Sequence, residues 1–459
     1  MNEERIRSSL EEESSDSNYD DEFGSEVEEV EKVVQPKKKN LVIDLNLNRR
    51  QSMDALLFDE SLKKISYLFR YGGLSLESRS RTNIQTFKIR LLYLFNSFWL
   101  NVDLAGGIYW FIDGLENGKS FIELTYIAPC IALAFMANIK SLFMIVNEKR
   151  IDEMIDSLRY LEITGMNSKR VEKKEDIAAE EKSFLYCVIK MLNILNVIVV
   201  LTFSISPFIL MLINYTKTME LELMLPFFII YPFDSYDIRY WPFAYLHQFW
   251  SEWVVILDIC SADYFFFTCC SHIRTQFLLL AYDLENIIPD HGNNIRQTAD
   301  IAFKKKFEEV IRRHQVIIGA ARLLETIYSK STLYNFTSSS ILICLTGFNV
   351  VAIEDVALIV TFLLFLSMCL LQVFFLCFFG DMLMRSSITI SNAVYNNRWY
   401  SADQVITKSF LIVLTRSQKP CKLTAMGFVD VNLMAFTSVL STSWSYFCLL
   451  NTMYKPYTE

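Results

Sequence analysis

Charge and histidine are both scarce in this sequence. Charged residues make up 21% of its 459 residues, and its four histidines are not spaced to share a metal ion. The glycine-rich loops G-x-G-x-x-G and G-x-x-x-x-G-K-[ST] are absent, and so are H-E-x-x-H and C-x-x-C. These absences remove the usual signatures of nucleotide-dependent enzymes, zinc hydrolases and thiol oxidoreductases. We therefore expect no enzymatic activity, no cofactor, no bound metal and no nucleic-acid partner.

Acidic residues are concentrated at the start of the chain. The first 32 residues carry thirteen Asp and Glu against three Lys and Arg, whereas the whole chain has a net charge of −8. A segment with this much like charge and few large apolar side chains cannot bury enough surface to offset the entropy lost on ordering. We therefore expect residues 1–60 to form an acidic, largely disordered tail. This tail lacks the basic start and short apolar run of a signal peptide, so we expect it to be cytosolic.

Apolar and aromatic residues are abundant in the rest of the chain. They raise the hydrophobic share of the sequence to 52%, with 36 Phe and 22 Tyr. Seven runs approach the roughly 20 apolar residues that a helix needs to cross a bilayer. We expect an all-α polytopic membrane protein in which residues 61–459 form seven transmembrane helices, near 88–112, 121–146, 184–213, 247–272, 332–353, 356–381 and 427–450.

Lys and Arg predict the orientation of these spans, because basic residues are retained on the cytosolic side. The segments 147–182, 274–330 and 385–422 carry eight, nine and six of them, respectively. The alternating segments carry at most two. The pattern predicts a cytosolic N-terminus and an extracellular C-terminus, the reverse of a G-protein-coupled receptor.

The stretch FKKKFEEVIRRHQVIIGAARLLETIYSK places apolar residues at helical spacing in a cytosolic segment. Such a stripe needs a packing partner, and packing within the chain explains it as well as assembly between chains does. In either case we expect helices that extend beyond the bilayer into a cytosolic anchor bundle. The stripe consists of Phe303, Phe307, Val310, Ile311, His314, Ile317, Leu324 and Ile327.

Three acidic residues lie inside the expected spans, namely Asp103, Asp258 and Asp263. Ionisable groups are costly inside a membrane, so they commonly have a function. They are consistent with an ion or proton path, and equally with structural pairing inside the bundle.

Three stretches, in this order, resemble the insect odorant receptors. The first is LPFFIIYPFDSYDIRYWPFAYLHQ, the second runs from ADYFFFTCCSHIRTQFLLLAYDL to FFGDMLMRSSITISNAVYNNRWY, and the third is RSQKPCKLTAMGFVDVNLMAFTSVLSTSWSYFCLLN. The resemblance implies an odorant-tuning subunit in the plasma membrane of olfactory sensory neurons. It also implies a heterotetramer with a co-receptor subunit around a central, non-selective cation pore that a small volatile opens. The chain lacks the long insertion that the co-receptor carries between its fourth and fifth spans.

The last expected span has one polar face. At about 100° per residue, its hydroxyl residues fall on one sector about 140° wide, opposite Val439, Trp444 and Phe447. Close helix packing explains small hydroxyl residues as well as a pore lining does. The resemblance implies the pore lining, with Ser445, Leu449, Thr452 and Met453 as pore residues and Leu449 and Met453 as the gate.

The family resemblance also implies a ligand pocket in the extracellular half of the bundle. We expect it to be mostly apolar and to suit a volatile ester, alcohol or terpenoid-like molecule. The candidate ligand-binding residues are Tyr126, Phe203, Ser204, Pro207, Trp253, Ile256, Phe362 and Phe365.

Two other functions remain as alternatives. A gustatory-type ligand-gated channel shares the topology, although the Thr-Tyr, five residues, Gln-Phe ending of that family is missing here. A small-molecule transporter would be expected to show an internal repeat with broken helices, and the sequence shows none.

Overall fold

The computed structural model describes residues 57–77, 81–166, 171–288 and 301–454, and these are almost entirely α-helical. The expected tail lies outside the described residues up to residue 56. Residues 57–60, which the sequence assigns to the tail, are helical instead. The described helices are α1 Leu57–Gly72, α2 Asn83–Glu116, α3 Phe121–Val146, α4 Glu148–Met166, α5 Val171–Thr218, α6 Trp241–Glu285, α7 Ile301–Ala352, α8 Val356–Asn396, α9 Gln404–Ser417 and α10 Leu433–Tyr454.

Six described helices are long and apolar enough to cross a membrane: α3, α5, α6, α7, α8 and α10. The helix of the first expected span, α2, has 34 residues and is long enough. It is not among the six, because Asn96, Asn101 and Asp103 interrupt its apolar sequence. Helices α5 and α7 have 48 and 52 residues. At about 1.5 Å per residue they exceed the roughly 30 Å of a hydrocarbon core, so each extends well beyond a bilayer.

Helix α6 lies at the centre of the bundle. Of its most apolar stretch, 89% is buried, and it packs against α1, α3, α5, α7 and α8. A helix covered on all sides needs apolar residues on all of its faces. The run Tyr264, Phe265, Phe266 and Phe267 satisfies this requirement, since all four side chains are buried.

A buried ion pair joins three helices in the bundle. Nζ of Lys140 on α3 donates to both carboxylate oxygens of Asp263 on α6, at 2.6 and 2.8 Å. Nε2 of Gln372 on α8 donates to the same carboxylate at 2.8 Å. Two interpretations were open for Asp263, an ion or proton path and structural pairing inside the bundle. The structure shows the pairing.

The last helix begins later than the sequence predicts. Residues 427–432, expected in the final span, belong to a β-hairpin and its exit, in which β1 Thr424–Ala425 pairs antiparallel with β2 Val429–Asp430. Met426 and Gly427 at its turn have φ of 53° and 76°, which end regular helix or strand. The hairpin packs closely on α8, because a Cβ added to Gly380 would lie 2.4 Å from the carbonyl oxygen of Val431.

The apolar stripe of the cytosolic segment lies on α7 and packs within the chain. Phe307, Val310, Ile317 and Leu324 are buried in the main core. The ring of Phe307 lies 4.5 Å from that of Phe410 on α9, measured between centroids. This contact leaves that part of the stripe covered by the chain's own helices.

Candidate ligand cavity and exposed helix face

A cavity lies between α2, α3, α5, α6 and α8. It offers about 80 Å³ to the centre of a water-sized sphere, and its wall is mostly apolar. The small residues Gly107 on α2 and Ala134 on α3 belong to this wall. A mostly apolar cavity with a few polar groups is typical of small-molecule sites.

Aromatic rings form one side of the cavity, with Phe203 on α5 at their centre. Its ring lies edge-on to those of Phe362 and Phe365 on α8, with centroids 6.0 and 5.7 Å away. The ring of Phe227 lies 5.8 Å from it on another side. Edge-to-face arrangements at these distances are favourable and hold the rings in place.

The loop between α5 and α6 covers the cavity, and its Leu-Pro-Phe segment supplies part of the wall. The side chain of Gln248, on α6, accepts from the amide of Phe227 at 2.9 Å and donates to its carbonyl at 3.2 Å. The amide of Ile230 donates to the carbonyl of Gly106 on α2 at 3.3 Å. A Cβ at Gly106 would lie 2.5 Å from the side chain of Ile229, so this close approach requires glycine. The motif that carries the family resemblance thus builds the cover of the cavity.

The Tyr-Pro-Phe-Asp segment anchors the same loop further along. The hydroxyl of Tyr231 and Nδ1 of His247 lie 3.0 Å apart in a hydrogen bond. Burial raises the pKa of Tyr231 above its ordinary value. Nδ1 of His247 also lies 3.5 Å from the carboxylate of Asp103.

Two acidic side chains, Asp103 and Glu252, belong to the cavity wall. Ser204 donates to Oε2 of Glu252 at 2.8 Å. Oε1 of Glu252 and Oδ1 of Asp103 are buried and accept no hydrogen bond from the described residues. Buried polar atoms are normally paired, so these two oxygens mark the positions where the wall can hold a polar group.

The structure brings three of the eight predicted ligand residues into the wall: Phe203, Ile256 and Phe365. Tyr126 and Phe362 lie behind it with their ring centroids 5.3 Å apart. Ser204 does not line the cavity, but its hydroxyl donates a hydrogen bond to the wall residue Glu252. Pro207 and Trp253 lie outside the wall. All eight remain predictions as binding residues.

Glu252 is a polar wall residue that was not predicted from the sequence. It stands inside the span expected at 247–272, beside the predicted Trp253. An acid in an apolar run is itself a signal, because such residues are rare and commonly functional in membranes.

The polar sector of α10 is exposed in the single chain. Its members Ser445, Leu449, Thr452 and Met453 are all exposed, Leu449 by 57% and Met453 by 76%. On other sides of the helix, Val439 is buried and Phe447 is half-buried, although Trp444 is 66% exposed. The exposed sector therefore combines hydroxyl groups with two large apolar side chains near the end of the chain.

The hydroxyl groups on this sector bond to their own helix. Ser445 donates to the carbonyl of Ser441 at 2.9 Å, and Thr452 to that of Cys448 at 2.8 Å. Such bonds satisfy the donor and leave the oxygen lone pairs pointing outward. The sector thus offers acceptor oxygens without a fixed charge.

Comparison with known proteins identifies relatives over most of the chain. The family model described as 7tm Odorant receptor matches residues 121–444. Odorant receptor 67c of Drosophila melanogaster is 24% identical over 410 residues, covering 87% of this chain and 98% of that protein. Odorant receptor 13a of the same species is 25% identical over 356 residues, covering 74% and 82%.

Solved structures share the fold. The insect olfactory receptor OR5 from Machilis hrabei superposes with a TM-score of 0.71 at 15% identity, covering 85% of this chain and 97% of that one. The same receptor in complex with eugenol gives a TM-score of 0.73 at 16% identity, covering 86% and 98%. This likeness makes α2 the seventh transmembrane helix, beside the six that qualify by composition. The chain is a multi-pass membrane receptor and not an enzyme, and it belongs to the insect odorant receptor family.

Proposed function

We propose that this chain is the odorant-tuning subunit of a ligand-gated, non-selective cation channel. The exposed sector of α10 carries the proposal, because an uncharged hydroxyl face that stays uncovered in one chain is suited to line a shared pore. Apolar rings at Leu449 and Met453 would close such a pore by excluding water. A co-receptor subunit would complete the ring, as a heterotetramer in the plasma membrane of olfactory neurons.

The cavity between α2, α3, α5, α6 and α8 is the proposed odorant site. Support comes from its apolar wall and from the cover that the family motifs build over it. The related receptor from Machilis hrabei was solved in complex with eugenol, a small aromatic volatile. We expect a ligand of comparable size here.

Helix α8 provides a physical connection between cavity and pore face. It contributes Phe365 and Met368 to the cavity wall. Two turns further on, the ring of Phe374 lies 5.5 Å from that of Phe436 on α10, edge-on. A ligand that favours one position of α8 can thereby bias the position of α10, provided that it binds the open arrangement more tightly.

Electrophysiology with and without an odorant co-receptor tests this function. Cells that express the chain together with a co-receptor should show a cation current within milliseconds of exposure to a volatile from a broad panel. Cells that express the co-receptor alone provide the control. Surface expression without any ligand-evoked current across the panel would contradict the proposal.

A further inference from the structure

Glu252 has one satisfied and one unsatisfied carboxyl oxygen at the cavity wall. Oε2 accepts from Ser204 at 2.8 Å, and Ser204 is fixed in turn because its carbonyl accepts from the hydroxyl of Tyr245 at 2.5 Å. Oε1 is buried and receives no hydrogen bond from the described residues. The side chain is therefore held in position by one oxygen, and the other has no hydrogen-bond partner among the described residues.

Few other wall residues could pair with the polar group of a bound molecule. No Lys or Arg stands among the described residues of the wall. Asp103 also has an unsatisfied oxygen, Oδ1, but this atom lies 3.5 Å from Nδ1 of His247. The remaining wall is aliphatic or aromatic apart from Ser251, which donates to the carbonyl of His247 in its own helix, and Cys130.

The chemistry of a carboxyl group narrows the matching ligand. An ionised carboxylate only accepts hydrogen bonds, so an ether, ester or ketone oxygen cannot bond to it. A protonated carboxyl also donates, which allows an ether or ester oxygen to pair with it but gives no partner to that donor when the ligand is a protonated amine. A hydroxyl both donates and accepts, and it therefore pairs with Glu252 in either protonation state.

We propose that this cavity selects small apolar molecules with a hydroxyl group, alcohols or phenols, and that Oε1 of Glu252 binds this hydroxyl. The inference depends on the proposed function in one respect: it assumes that this cavity is the odorant-binding site. It narrows the ligands expected from sequence, because an ester oxygen pairs only with the protonated carboxyl and a hydrocarbon terpenoid pairs with neither form. Glu252 is the specificity-determining residue in this account.

Binding to the purified full chain in lipid nanodiscs tests the selectivity without requiring a current. The probes are 1-hexanol, hexylamine and methyl pentyl ether, which have equal numbers of heavy atoms and similar shapes. The readout is the ligand-dependent rise in the thermal unfolding midpoint, compared with the ligand-free chain of the same variant. We expect 1-hexanol to bind about tenfold more tightly than the ether, which has no donor for Oε1 of Glu252.

Substitutions of Glu252 then test whether this side chain causes the preference for 1-hexanol. Glu252→Leu should reduce the preference for 1-hexanol over the ether to about twofold or less, and Glu252→Gln, whose amide donates and accepts, should keep it. Met368→Leu is the control, because it changes an apolar part of the wall and should leave the preference unchanged. Equal or weaker binding of 1-hexanol relative to the ether or amine in the native chain overturns the proposal, as does a preference that survives Glu252→Leu.

A measurement on the native chain covers the case in which Glu252→Leu fails to fold. Infrared difference spectra should show a shifted carboxyl band when 1-hexanol binds, and the shift should disappear in Glu252→Gln. An unchanged band overturns the proposal. If hydroxyl selectivity holds while no probe evokes a current, the channel function fails and the ligand assignment stands.

Discussion

At the scale of single residues, the pair Lys140 and Asp263 shows what sequence can and cannot predict. Asp263 stood out because an acid inside an apolar run is costly. Lys140 lies in another span, and nothing in the sequence indicates that α3 and α6 place the two side chains 2.6 Å apart. The same limit applies to Glu252, whose partner Ser204 is 48 positions away. The sequence thus indicates which single side chains are unusual for a membrane span. It does not indicate which of them pair, because pairing depends on how the helices pack.

The buried pair leads to a prediction about stability. Lys140→Met should destabilise the chain by about 3–5 kcal/mol, because it leaves the carboxylate of Asp263 buried without its counter-ion. The double variant Lys140→Met, Asp263→Leu should recover most of that loss, since no unpaired charge remains. Thermal unfolding in detergent or nanodiscs measures both.

A surface pair provides the control for this experiment. Lys422 and Asp430 pair across the hairpin with their side chains 47% and 35% exposed, so Lys422→Met should cost no more than about 1 kcal/mol. An unaltered midpoint in Lys140→Met, or a double variant less stable than the single one, would contradict the explanation by an unpaired buried charge.

At the scale of elements, helix content was predictable and helix rotation was not. The apolar runs and flanking charges locate α3 at residues 121–146, as observed. Depth in the membrane guided the choice of Tyr126, Pro207 and Trp253 as ligand residues, but depth does not determine which side of a helix faces the cavity. That rotation depends on contacts such as those around Phe203, which involve α8 and the covering loop.

The contact between α8 and the hairpin leads to a prediction about one glycine. Gly380→Ala should destabilise the chain and reduce its surface expression, because the added methyl would lie 2.4 Å from the carbonyl oxygen of Val431. Gly319→Ala, in α7, is the matched control. Beyond its own turn of helix, no heavy atom of the described residues lies within 4 Å of a Cβ there, so this change should be neutral or stabilise the helix by up to about 1 kcal/mol. Equal effects of the two substitutions on the unfolding midpoint would argue against a tight contact.

At the scale of the whole molecule, the distribution of Lys and Arg predicts the orientation in the membrane. We expect an N-terminal epitope tag to be stained only in permeabilised cells and a C-terminal tag to be stained on intact cells. The charge difference between alternating segments is the physical reason. Staining of the N-terminal tag on intact cells would reverse the orientation and remove the proposed position of the cavity in the extracellular half.

The seven-helix architecture was largely evident from the sequence, because apolar length and basic flanks are local properties of the chain. Assembly is not local: the sector of α10 that contains Leu449 and Met453 is exposed in the single chain, and the proposed pore assigns its partners to other subunits. The sequence therefore predicts the helix and its polar face, while its role as a pore lining needs a functional measurement.

The reversal potential of ligand-evoked currents tests that role most directly. Leu449→Ser combined with Met453→Ser, expressed with a co-receptor, should shift the reversal potential in asymmetric cation solutions and increase the leak without ligand, because a wider polar ring excludes less water. Trp444→Leu, on the opposite side of α10, should behave like the native chain. A double variant with native reversal potential and native leak would contradict the assignment of α10 as the pore lining.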